Sequence, residues 1–203
     1  DLDGLALALE QAGAFIVKHR ITFADYRLRW KKQEAKVLEW FDEREMKYPK
    51  SVAITWQTSL DRLSDDGRGL LRILSWLAPT PIPRTMVEKL TNPEGVAAID
   101  VEDGLRDLAE FSFARWNGEG DAFSVHRVVQ EITRYRTPEG ERRGYLERCL
   151  QMVNAFVVGD PWDVRTWKDV YEPANTHIVV VVERADHQQI ADPTSRLMNC
   201  LLY

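Results

Sequence analysis

The chain has 203 residues, 44% of them hydrophobic, with 27 basic and 32 acidic side chains and a net charge of −5. That composition supports one large or two small packed domains and excludes wholesale disorder, and the acidic balance speaks against a dedicated binder of nucleic acid or anionic membrane. No apolar run approaches the ~20 residues that span a bilayer, and two cysteines, Cys149 and Cys200, are too few for a disulfide scaffold, so a reducing, cytoplasmic setting is expected.

Leu2 to Lys18 predicts a helix, with Leu5, Leu9, Ala12 and Ile16 on one face at a 3.6-residue period. Thr22 predicts the N-cap of a second helix, which carries Tyr26, Trp30 and the charged stretch from Gln33 to Glu45. Tyr48-Pro49-Lys50 breaks the pattern. Ser51 is a candidate cap for a helix over Val52 to Leu63, and Ser64-Asp65-Asp66-Gly67 reads as a turn. Leu70 to Leu77 predicts an apolar helix closed by Pro79, Pro81 and Pro83, and Pro83 suits the first turn of a short helix over Arg84 to Leu90. Asn92-Pro93-Glu94-Gly95 is a loop, followed by a helix over Val101 to Ala109.

Strand propensity then takes over. Phe111 to Trp116 and Ala122 to Val125 predict a hairpin around the turn Asn117 to Asp121, and Val128 to Tyr135 returns to helix. The fold class expected is mainly α. It comprises a helical subdomain over 1–48, a winged-helix domain with one β-hairpin over 49–137, and helices over 138–203. In the last part, Glu141 to Phe156 predicts a helix, Gly159-Asp160-Pro161-Trp162 a loop, and Asp192-Pro193-Thr194 the start of a final helix. The run Val179 to Val182 has strand propensity on its own. Asp1 is not a start methionine, and both ends lie in helix-compatible patterns, so a segment of something longer is expected.

The sequence holds no phosphate-binding loop, no H-E-x-x-H, no C-x-x-C and no G-x-S-x-G, so no catalytic residue and no metal ligand is expected. His177 and His187, ten residues apart, read as two surface histidines. His126 follows the second strand of the hairpin and precedes a helix. Two roles are open to it: capping that helix, or donating a hydrogen bond to a phosphate oxygen brought by another domain.

Three segments, taken in order, resemble the NB-ARC signalling ATPases that carry tetratricopeptide repeats. Gly4-Leu5-Ala6-Leu7-Ala8-Leu9-Glu10-Gln11-Ala12-Gly13-Ala14 is similar to that family's G-L-P-L-A-L-x-x-A-G-A-Y motif. Ser51 to Trp56 through Leu74 to Pro79 resembles the start of its winged helix, and Ser124-Val125-His126-Arg127-Val128-Val129-Gln130 resembles its S-V-H-R-L-V-Q stretch. The resemblance implies that His126 matches the histidine that contacts the β-phosphate of ADP, and that Gly4, Leu5 and Leu7 belong to the motif beside the adenine pocket. Ala6 stands where the family has the proline that lines that pocket. It implies ADP or ATP as cofactor of a longer parent, and no enzyme activity in this segment alone. The implied partners are an upstream nucleotide-binding domain, downstream repeats, and a protein ligand or further copies of the chain. It also implies that Ile178 to Val182 is helical. The other reading is a DNA-binding winged helix. Residues 49–137 carry 11 basic against 13 acidic side chains, and Arg84 to Leu90, taken as the recognition helix, offers only Arg84 and Lys89 as cations. Phosphate-dominated affinity needs a positive face, so no DNA and no membrane partner is expected.

Overall fold

The computed structural model describes residues 6–38, 50–95 and 97–201, with side chains for all of these except 7, 34–36, 38 and 51. Helix α1 (Ala6–His19) buries Ala8, Ala12 and Phe15 on one stripe, and Arg20, at positive φ, turns the chain toward α2 (Phe23–Leu38). Thr22 is the expected cap: its Oγ1 accepts from Asp25 N at 3.1 Å, while Asp25 Oδ2 accepts from Thr22 N at 3.2 Å. This reciprocal pair satisfies two amides that the first turn would otherwise leave open. α3 (Lys50–Leu60) begins one residue ahead of Ser51 and packs against α1 and α2.

The stretch Ser64 to Gly67, expected as a turn, is instead the start of α4 (Asp65–Leu74). Ser64 Oγ accepts from Gly67 N at 3.0 Å, and Asp65 and Asp66 sit favourably at the positive end of the helix dipole. α4 lies close against α6 (Val101–Glu110), itself capped by Asp100. A Cβ at Gly67 would come within 2.7 Å of Asp107, and one at Gly104 within 3.0 Å of Leu70, so glycine permits this approach. Asp107 joins three helices: its Oδ1 takes Lys18 Nζ at 2.7 Å, and its Oδ2 accepts from Ser64 N at 2.7 Å.

The sheet holds one strand more than the expected hairpin. β1 (Ile82–Pro83) pairs with β3 (Ala122–Val125), which pairs with β2 (Ala114–Trp116), all antiparallel in the order β1-β3-β2. Proline is tolerated because β1 is an edge strand. β2 starts at Ala114 rather than Phe111, because α6 runs to Glu110 and Ser112 at φ 56° redirects the chain. Helix α4, strand β1, short helix α5 (Arg84–Val87), α6 and the β2–β3 hairpin follow one another along the chain. The helix that leads into the hairpin is therefore α6, not the segment Arg84 to Leu90.

α7 (Arg127–Arg136) and α8 (Glu139–Phe156) follow, and α8 packs against α4 and α5. After the short α9 (Val164–Thr166) and a π-helical turn (Trp167–Tyr171) comes α10 (Glu172–His187), which packs on α8 and α11 (Thr194–Cys200). The valine run lies inside α10. Ala174, Ile178, Val181, Val182 and Ala185 are buried at helical spacing, whereas Val179 is 47% exposed, so packing on α8 overrides local strand propensity. One cluster of buried side chains extends from Ala8 to Leu197. Among the described residues, no helix is long and apolar enough to cross a membrane.

Candidate functional site

His126 stands at the junction of β3 and α7. Val125, the last residue of β3, is buried and pairs with Ala114. His126 keeps an extended backbone (φ −61°, ψ 136°), and α7 begins at the next residue. Its Nδ1 accepts from Val128 N at 3.2 Å, so the ring caps the helix. An accepting Nδ1 places the proton of the neutral ring on Nε2, which leaves that N–H as a donor on an exposed residue. The covered part of the ring, and then the charge of Arg127, hold its pKa below the ordinary histidine value. Capping and an outward donor are therefore compatible on one imidazole.

The helix behind His126 is firmly seated. Gln130 Nε2 donates to Leu74 O at 3.2 Å, and Arg134 donates to Ser75 O, both at the C-terminal end of α4. Arg184 reaches the same end from α10, donating to Trp76 O at 2.5 Å. Two cations thus meet the negative end of the α4 dipole. The crowding has an electrostatic consequence: burial and the neighbouring Arg184 pull the Arg134 pKa down to about 10.

Helix α1 crosses the corner between α6 and β2. Gln11 Nε2 donates to Ser112 O at 3.4 Å, and Lys18 lies 3.7 Å above the Phe111 ring while pairing with Asp107 and Glu110. Ser112 is two residues before Ala114, the register partner of Val125, so α1 meets the chain just ahead of the end of β2 that pairs with the end of β3, where His126 follows. Gly4 and Leu5 lie outside the described residues, as does the side chain of Leu7. Ala6 opens α1 and is exposed.

His177 is fully buried on α10 rather than at the surface: its Nε2 is 3.0 Å from Pro81 O and 3.5 Å from Thr80 Oγ1. Pro81 O only accepts, so Nε2 carries the proton. Among the described residues, no group of three His, Cys, Asp or Glu side chains could hold a metal ion. Arg84 Nε is 3.1 Å from Glu88 Oε1, and α6 carries Glu102, Asp103, Asp107 and Glu110 against Arg106. The helix before the hairpin is thus acidic. Arg148, Arg134 and Arg184 belong to no motif in the sequence. Only tertiary packing makes them notable, and no local pattern marks them.

A mainly helical chain with a three-stranded antiparallel sheet is the class that this geometry defines. Within it, residues 58–142, from the end of α3 into the first turn of α8, match a family described as a domain of unknown function, DUF7779. That span includes the whole sheet and His126. No curated protein matches the chain.

Proposed function

We propose that this chain is the nucleotide-state-sensing regulatory segment of an NB-ARC-type signalling ATPase. In this reading 1–48 is the helical subdomain that follows a nucleotide-binding domain, 49–137 the winged helix, and 138–203 the lead-in to tetratricopeptide-like repeats. The winged helix docks on the nucleotide domain in the ADP state and leaves it on exchange, a shift between two packings. ADP or ATP is held by the parent, while this segment contributes a donor to the phosphate and performs no chemistry. The repeats read a protein ligand and govern self-assembly.

The observation that carries the reading is the hydrogen bond from Val128 N to His126 Nδ1. With Nδ1 so engaged, the His126 Nε2–H is the group left to face an incoming phosphate oxygen. The positive end of α7 lies directly behind it, an arrangement suited to an anion. The contact of α1, which carries most of the first resembling segment, with Ser112 just before β2 supports the reading. The acidic α6 weighs against a winged helix that grips DNA.

The test is the nucleotide content of the full-length parent. The native parent should purify with bound ADP, and the parent carrying His126→Ala should hold much less. A parent that folds but binds neither ADP nor ATP contradicts the proposal.

A further inference from the structure

The loop between α5 and α6 closes on itself through Asn92. Its Oδ1 accepts from Ile99 N at 2.9 Å, and its Nδ2 donates to Ile99 O at 3.3 Å. The same Oδ1 accepts from Arg148 Nη2 at 3.0 Å, which ties the loop to α8. Between this loop, α4 and α8 lies a cleft of about 670 Å³. That volume falls in the range of small-molecule sites. Ala97, Ala98, Ile99 and Tyr145 give it an apolar side, charged side chains of α4 and α8 stand around them, and Gly144 leaves it open.

Arg148 lines this cleft and is only 7% exposed. Among the described residues it makes one hydrogen bond, to Asn92, and no ion pair. Its Nε is buried without a partner. The glutamates of the cleft are held by other arginines: Glu141 by Arg72, on the same wall, at 3.1 Å, and Glu147 by Arg143 at 2.9 Å. A buried guanidinium normally faces an anion, because removing its charge from water is costly and a carboxylate compensates it bidentately. Here, among the described residues, no carboxylate pairs with the Arg148 guanidinium, although Asp65, Glu141 and Glu147 stand on the same walls.

We propose that the cleft between α4, α8 and the 92–99 loop is a binding site for a small organic monocarboxylate. The carboxylate pairs with Arg148, and the apolar body lies on Ile99, the loop alanines and Tyr145. Such a ligand would bridge α8 to the α5–α6 loop. His126 does not line the cleft, so this inference stands apart from the proposed nucleotide role.

The experiment titrates the chain with octanoate and phenylbutyrate, and with octanamide and phenylbutyramide as neutral counterparts. Heteronuclear NMR follows the Gly69 and Gly144 amides and the Arg148 Nε–H. Saturable shifts at these positions are expected for the acids, with a Kd at or below about 1 mM, and at least about tenfold weaker binding for the amides. Two variants accompany the titration. Arg148→Gln removes the charge and should weaken binding at least tenfold. Gly144→Leu fills the cleft without disturbing the core, since a Cβ there meets nothing within 4 Å; it should abolish binding and leave the melting temperature no lower. If Arg148→Gln fails to fold, the acid–amide contrast and Gly144→Leu still decide. No saturable binding of either acid, equal affinity for acid and amide, or an unchanged Kd in Gly144→Leu overturns the proposal.

Discussion

Replacing His126 with alanine removes the side-chain acceptor at the start of α7 and leaves the Val128 amide to water. The bond is 3.2 Å long and the residue exposed, so the loss is that of an ordinary N-cap, about 1 kcal/mol. In a chain of this size that lowers the melting temperature by about 2–4 °C. His126→Asn, whose Oδ1 can cap in the same place, should recover most of it. The effect should also depend on pH. Partial burial and Arg127 hold the folded-state pKa below the unfolded value of 6.5, so the neutral ring is the one the fold prefers. The cap is present in full above pH 6.5 and is lost as pH falls through the lower folded-state value, because a protonated Nδ1 cannot accept. Subtracting the variant curve from the native one cancels every other titrating group. Thermal melts of native, Ala and Asn chains at neutral pH and at about pH 5 check this. A deficit in the alanine variant that is the same at both pH values, or that asparagine does not repair, would refute the capping geometry.

Asp107→Asn should destabilise the chain by about 1–3 kcal/mol at neutral pH in denaturant melts, because it uncouples Lys18 and Ser64. Burial works to raise the Asp107 pKa, but Lys18 and Ser64 outweigh it and hold it below 3.8. Its contribution is therefore present above that value and is lost as pH falls through the lower folded-state value, and a difference that does not shrink in acid contradicts the assignment. His177→Met should flatten the fall of stability between pH 7 and about pH 5, since burial lowers the His177 pKa and protonation would charge a buried Nδ1 that has no partner. An unchanged slope would show that His177 does not titrate on unfolding. Cys149 is fully buried, which pushes its pKa up to about 12, so iodoacetamide at mildly alkaline pH should label the half-buried Cys200 first and Cys149 only on unfolding. Equal labelling of both in the native chain would contradict the packing of α8.

Local signals led to the elements they govern. The apolar stripe of α1, the reciprocal cap at Thr22, the Asn-Gly hairpin turn and the helix after His126 are all written in neighbouring residues. Signals with two meanings led elsewhere. Ser64-Asp65-Asp66-Gly67 suits a turn and equally a capped, acid-rich helix start, and contact with α6 selects the helix. Ile82-Pro83 carries too little pattern to mark a strand, and only pairing with β3 makes it one. The valine run is helical because α8 covers one side of it. At the candidate site, the sequence singled out His126 by its place between strand and helix, and the capping bond agrees with one of its two roles. The cleft at Arg148 was not legible, because it needs Asn92 folded back on Ile99 and both brought to α8. His177 was misplaced for the same reason: its partner Pro81 is 96 residues away in the chain.

The central claim is that His126 Nε2–H holds the nucleotide state of the parent, beyond any capping role. It is tested most directly by the rate at which the full-length parent releases a fluorescent ADP analogue, compared among native, His126→Ala and His126→Asn proteins. A charge-assisted bond to phosphate of about 1.5–3 kcal/mol predicts release faster by roughly tenfold to a hundredfold in both variants. Asparagine repairs the cap but does not extend to where Nε2 stands, so it should restore the melting temperature and leave release fast. Native release rates in both variants, with stability lost only in alanine, would contradict the account and leave His126 as a helix cap alone.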